Sequence, residues 1–239
     1  MVLLAQAVYV KRKTPRLPGA AGPTEGLVPG DGEPFRLAVL GESTVDGVGA
    51  ADHEEALTGC LARELARDGR AVRWQAVGRT GANARVVRAE LVPLIRLPPH
   101  RHPQSRRSRA AGRPAVDLVV VALGVNDTIE LRTAAGYRRD LLELVLELRR
   151  RLGPADVLLA GVPPMSRFPA LPRPLRDVLS ARSAALDAAA STLGRIPGVT
   201  HLPMDPALLD PGAFASDRFH PGPAGYARWA RTLARSVIS

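Results

Sequence analysis

Four stretches of this 239-residue chain carry residue types from which a hydrolytic site can be assembled. They are Gly41-Glu42-Ser43-Thr44, Gly78-Arg79-Thr80-Gly81-Ala82-Asn83, Gly124-Val125-Asn126-Asp127 and Asp217-Arg218-Phe219-His220-Pro221. A serine hydroxyl turns nucleophilic only beside a base, an imidazole base needs a carboxylate to fix its tautomer, and the oxyanion of acyl transfer needs preorganised donors. The four stretches supply candidates for all of these roles. Each has a local alternative: Ser43 as a turn or N-cap serine, Asn126 and Asp127 as an Asx-turn or cap, Asp217 and His220 as a solvated loop pair. Only a fold that brings the stretches together favours the chemistry.

The elements that would do so are written in the apolar pattern. Phe35 to Leu40, Ala71 to Val77, Val116 to Leu123, Asp156 to Val162 and Val199 to Met204 read as strands. Helices are expected over His53 to Asp68, Ala82 to Leu97, Tyr137 to Leu152, Leu175 to Leu193 and Pro223 to Ile238. The run VDLVVVAL at 116–123 is apolar almost throughout, as in parallel strands buried on both faces. Five alternations of strand and helix call for a parallel sheet with helices on both faces, because each crossover must return the chain across the sheet. The expected fold is thus α/β, a three-layer α/β/α sandwich around a flavodoxin-like parallel five-stranded sheet. In such sheets ligands bind beyond the carboxyl ends of the strands, where three of the four stretches fall.

With that placement, the chain resembles the SGNH, or GDSL-like, hydrolases. Gly41-Glu42-Ser43 stands at the family's first block, Gly81 at the second, Gly124-Val125-Asn126-Asp127 at the third and Asp217-Arg218-Phe219-His220 at the last. The D-x-x-H spacing and the G-x-N-D after the third strand are the specific features, and the resemblance spans about residues 35 to 236. It implies a serine ester hydrolase that works through an acyl-enzyme without metal or organic cofactor. Ser43 would be the nucleophile, His220 the general base and then acid, and Asp217 the residue that orients the ring. The N–H groups of Ser43 and Gly81 and the side-chain amide of Asn126 would form the oxyanion hole. Where the family carries Asp, this chain has Glu42, and Thr44 replaces a leucine; Glu42 is read as a supporting residue at most. Asp127 is read either as a buttress of the loop beside Ser43 or as an N-cap. The substrate would be a carboxylic ester of a small alcohol, lipid or sugar. The alternatives are an O-acetyl carbohydrate esterase and a flavodoxin-like binding module without turnover.

Composition narrows the field further. With 46 % hydrophobic and 23 % charged residues the chain is an ordinary globular one, and no apolar run is long enough to cross a bilayer. One cysteine, Cys60, allows no internal disulfide and falls on the apolar stripe of a helix, so it reads as core. The net charge of +10 is concentrated in residues 1–24 and 101–113, a tail and a loop, and aromatics are only 4 %; neither describes a nucleic-acid platform. His53-Glu54-Glu55 lacks the second histidine of a zinc helix, His100 and His102 lack an acidic partner, and His201 reads as packed or edge-facing. Gly41 to Gly49 has no Gly-Lys-Ser/Thr for phosphate.

Two segments stand apart from the domain at 35–239. Residues 98–114 have no periodicity and read as a flexible arginine-rich insertion. Residues 1–34 comprise an apolar decamer, a basic Lys11-Arg12-Lys13, and a Pro/Gly-rich strap from 14 to 34. The decamer is expected to be a short helix packed on the domain; the alternative is weak contact with a membrane surface through residues 1–16. The missing signal-peptide features point to a cytoplasmic protein, with peripheral membrane attachment as the variant of that expectation.

Overall fold

A computed structural model describes residues 2–96 and 114–238. The arginine-rich insertion expected at 98–114, with His100 and His102, lies outside the described residues apart from Pro114. In chain order the elements are α1 (Val2–Lys13), β1 (Glu25–Val28), β2 (Asp31–Gly41), α2 (Leu57–Leu65), β3 (Arg70–Gly78), α3 (Ala84–Val86), β4 (Leu118–Ala122), α4 (Val125–Ile129), α5 (Ala134–Leu152), β5 (Asp156–Ala160), α6 (Leu175–Ser191), β6 (Val199–Leu202) and α7 (Pro223–Ile238).

The sheet has six strands in the order β1-β3-β2-β4-β5-β6. Five of them, β2 to β6, are parallel as expected. The sixth corrects the sequence reading. Within the segment expected to be an irregular strap, Glu25 to Val28 adds an antiparallel edge strand to β3, in the register Glu25↔Gln75 to Val28↔Val72. The strap also contributes the first residues of β2, which begins at Asp31.

The continuous apolar strands have two faces to bury. On β2 and β4, Leu37, Val39, Leu118 and Val120 point to one side, packed with Leu57, Leu61 and Leu65 of α2 and Tyr226, Trp229 and Leu233 of α7. Ala38, Leu40, Val119 and Val121 point to the other, packed with Leu141, Leu144 and Leu148 of α5 and Leu186 of α6. Both layers are fully closed to water, and Cys60 lies in the first of them. Each such leucine contributes about 1.5 to 3 kcal/mol by leaving water.

Local chemistry trims two of the expected helices. The helix foreseen from His53 starts at Leu57, with Ala56 in extended conformation as its N-cap. The helix foreseen over 82–97 is one α-turn, a π-turn at Val87–Leu91 and a 3-10 turn at Val92–Leu94. Pro93 has no N–H for the next α-helical bond, so the regular ladder cannot pass it.

The strand order reverses at β2, whose successor β3 lies on one side and β4 on the other. That switch point opens a crevice at the carboxyl ends of β2 and β4. Gly41, the last residue of β2, lets the two strands close up, since a Cβ there would stand 1.9 Å from the Ala122 carbonyl oxygen.

Candidate active site

Ser43 leaves β2 in a turn at this crevice, and His220 arrives from the loop before α7. The His220 Nε2 lies 3.0 Å from Ser43 Oγ, and its Nδ1 lies 2.6 Å from Asp217 Oδ2. The three residues expected to cooperate are therefore in hydrogen-bond contact. Asp217 is buried and also accepts the backbone N–H groups of Phe219 and His220 through Oδ1, both at 2.9 Å. Burial alone would lift its carboxyl, but the His220 ring and the two backbone donors outweigh it and hold the pKa below the ordinary carboxylate range. An ionised Asp217 places the imidazole proton on Nδ1, which leaves the Nε2 lone pair for the serine hydroxyl. The loop that makes this geometry passes through Arg218 at φ 58°, in the left-handed region.

The remaining expected residues meet in a knot of loops beside the serine. Glu42 is buried and its carboxylate accepts three donors: Val125 N–H at 2.9 Å, Asn126 N–H at 3.0 Å and Asn126 Nδ2 at 2.6 Å. Burial pushes Glu42 up to about 7 in spite of these bonds. The longer acid thus fastens the loop after β4 to the nucleophile's own segment. Asn126 is not a free third donor here, because its amide also donates to the Ala82 carbonyl at 3.1 Å, so both N–H bonds are engaged. Asp127 is neither its own helix's cap nor a neighbour of Ser43 by hydrogen bond; it accepts the Ala84 N–H at 3.1 Å and so caps α3 from across the crevice. Burial lifts its carboxyl to about 6.

Gly81 sits at φ +83° with nothing within 4 Å of the position a Cβ would take. Among the described residues, neither its N–H nor that of Ser43 donates to another backbone carbonyl outside the regular elements. The loop carrying Gly81 is held by a residue that the sequence pattern did not single out: Asp46 Oδ2 accepts both Thr80 N–H at 3.0 Å and Thr80 Oγ1 at 2.6 Å. A second unforeseen support is Tyr226 of α7, whose hydroxyl donates to the Val48 carbonyl at 2.6 Å and ties the turn after Ser43 to the core.

An apolar cavity of about 50 Å³ opens beside Ser43 and His220. Phe168, Met204, Leu209, Phe214, Phe219 and Trp229 are the large apolar side chains of its wall. Three of the four phenylalanines of the chain are thus gathered here, with Phe168 edge-on to Phe214 at 5.7 Å and to Phe219 at 5.0 Å between centroids. Phe219 in turn meets the His220 ring edge-on at 5.2 Å. His201, expected to be packed or edge-facing, lies on the edge strand β6 with its side chain largely buried and Nε2 2.9 Å from Asp187 Oδ1. Among the described residues no three His, Cys, Asp or Glu side chains converge as metal ligands.

The family model described as GDSL-like Lipase/Acylhydrolase matches residues 39–228, most of the chain and all four stretches. The chain belongs to that family. Its members are hydrolases acting on esters, and the α/β/α fold agrees with solved structures that this GDSL-like chain resembles. One is described as TesA, 20 % identical, covering 84 % of this chain and 97 % of that one with a TM-score of 0.60. Another is the lipase/acylhydrolase from Enterococcus faecalis, 19 % identical over 85 % of this chain and 95 % of that one, TM-score 0.57. A third is the psychrotrophic esterase EstA from Pseudoalteromonas sp., in a structure inhibited by monoethylphosphonate, 14 % identical over 84 % and 96 %, TM-score 0.58. A comparison with curated proteins finds no match.

Proposed function

We propose that this GDSL-like hydrolase cleaves carboxylic esters through an acyl-enzyme on Ser43. The observation that carries the reading is the continuous chain Ser43 Oγ, His220 Nε2, His220 Nδ1, Asp217 Oδ2, with links of 3.0 and 2.6 Å. Ser43 Oγ attacks the ester carbonyl carbon while its proton passes to His220 Nε2. The negative charge on the former carbonyl oxygen is met by the N–H groups of Ser43 and Gly81. Asn126 joins them by exchanging its 3.1 Å bond to Ala82 for the oxyanion. Collapse breaks the bond to the alcohol oxygen, which leaves with the proton held on His220. Water then attacks the acyl-enzyme with His220 as base, and the acid departs as Ser43 recovers its proton.

The cavity favours an acyl chain over a sugar. Its wall is aromatic and aliphatic, and about 50 Å³ takes only a few water-sized groups, so a short chain or the first carbons of a longer one would enter it. A fluorophosphonate probe and a chromogenic short-chain ester test the reading together. The intact chain should be labelled and should turn over the ester, while Ser43→Ala should lose the label and, like His220→Ala, at least 1,000-fold in kcat. Folded Ser43→Ala protein with near-native turnover would overturn the mechanism.

A further inference from the structure

Helix α1 is tied to the domain by one narrow stripe. Gln6 uses both ends of its side-chain amide, donating to the Arg173 carbonyl at 2.6 Å and accepting the Leu175 N–H at 3.0 Å. One turn on, Val10 packs against the cluster of Phe168, Leu171, Leu175 and Leu209. Phe168 and Leu209 also wall the cavity beside Ser43, so α1 rests on the outside of the acyl site. This agrees with the expected packed helix, but it accounts for only one side of it.

The rest of α1 faces water with apolar side chains. Val2, Leu4, Val8 and Tyr9 are between 41 and 65 % exposed. With Leu3, this twelve-residue helix holds five of the eleven exposed large hydrophobic side chains among the described residues. Positions 4 and 8 are one turn apart and lie on one side. Charge is segregated along the axis, since the first two turns carry none and Arg12, Lys13 and Arg16 follow, all exposed. No acidic residue precedes Glu25. An exposed apolar segment with a cationic collar and no acid matches a surface whose interior is hydrocarbon and whose headgroups are anionic. A protein partner would instead need an acidic rim around an apolar groove.

We propose that α1 docks this hydrolase on an anionic lipid surface, with Leu4 and Val8 entering the headgroup boundary and Arg12, Lys13 and Arg16 meeting the phosphates. The consequence for substrate rests on the ester-hydrolase reading: docking would hold the hydrolase at the surface where membrane-resident acyl esters lie, making them its substrates.

The test uses the full chain, vesicles of phosphatidylcholine alone, and vesicles in which roughly a third of the lipid is phosphatidylglycerol. The intact protein should float with the anionic vesicles at least tenfold better than with the neutral ones. Leu4→Glu/Val8→Glu and Arg12→Glu/Lys13→Glu should each lower that binding at least tenfold, yet leave turnover of a soluble short-chain ester within twofold. Turnover of an ester embedded in anionic vesicles should fall with binding. Equal flotation of the variants and the intact chain overturns the proposal, as does an intact chain that never floats. So does a Leu4→Glu/Val8→Glu change that only converts a dimer into a monomer in sedimentation, for then the face belongs to a second copy. Vesicle binding that follows the variants while no ester is turned over would support docking and count against the ester reading alone.

Discussion

Glu42 reaches one methylene further than an aspartate would, and the loop after β4 is set to that length. Its two oxygens take three N–H donors from Val125 and Asn126, so shortening the acid leaves buried donors unmet at about 1 to 3 kcal/mol each. The geometry makes Glu42 a positioning residue for Asn126. If Asn126 reaches the oxyanion, Asn126→Ala should lower kcat by about 100- to 1,000-fold with KM for a small ester little changed. Glu42→Gln replaces one acceptor oxygen by an amide that repels the same donors, and it should lower kcat at least tenfold by displacing that amide. Because the second effect runs through the first, the double variant should be no slower than Asn126→Ala alone. Additive losses would show that the two residues act separately, and an Asn126→Ala loss below tenfold would confine its amide to tying Glu42 to Ala82.

The elements around the crevice depend on two glycines for different reasons, and substitution separates them. A methyl on Gly41 would collide with the Ala122 carbonyl at 1.9 Å, so Gly41→Ala must part β2 from β4 or shift both. It should destabilise the fold by roughly 3 kcal/mol or more, read as a lower urea midpoint. Gly81 has open space around it but a φ of +83°, so Gly81→Ala should cost only about 1 to 2 kcal/mol, while kcat falls because the N–H is re-aimed. These requirements show what was legible in the chain. The buried strands were, because VDLVVVAL admits no solvent face, and so were Ser43, Asp217 and His220, whose spacing reflects a local turn and a strand end. Edge strand β1 was not: EGLV is four residues with a half-exposed pattern, and its identity comes from pairing with β3. The grip of Asp46 on Thr80 was equally hidden, since it joins positions 34 apart and leaves no periodic trace. Nor could the pattern reveal that the Asn126 amide would be engaged by Glu42 and Ala82.

At the scale of the whole molecule, two buried carboxyl groups at the crevice make stability depend on pH in an uncommon direction. Glu42 rises from an ordinary 4.5 to about 7 and Asp127 from 3.8 to about 6, in both cases chiefly because burial disfavours the charged form. Between the unfolded and folded values the native chain holds protons that the unfolded chain has released. The free energy of unfolding therefore falls as pH rises through that window. At 1.36 kcal/mol per unit each group contributes on the order of 3 kcal/mol below its unfolded pKa, lost once pH passes its folded one. The charge of Asp127 adds to the rise of Glu42. Asp217 runs the opposite way, its lowered pKa giving stability that is present above 3.8 and disappears on further acidification. The balance predicts a maximum at about pH 4 or below, where the unfolded chain begins to release these protons, and a stability from urea unfolding that declines by several kcal/mol between about pH 5 and 7.5. Asp127→Asn leaves Glu42 in place and should remove about a third of that decline, provided the asparagine oxygen still accepts the Ala84 N–H. A midpoint that rises over the same interval would mean that both carboxyl groups are already ionised at pH 5, with the three donors to Glu42 outweighing its burial.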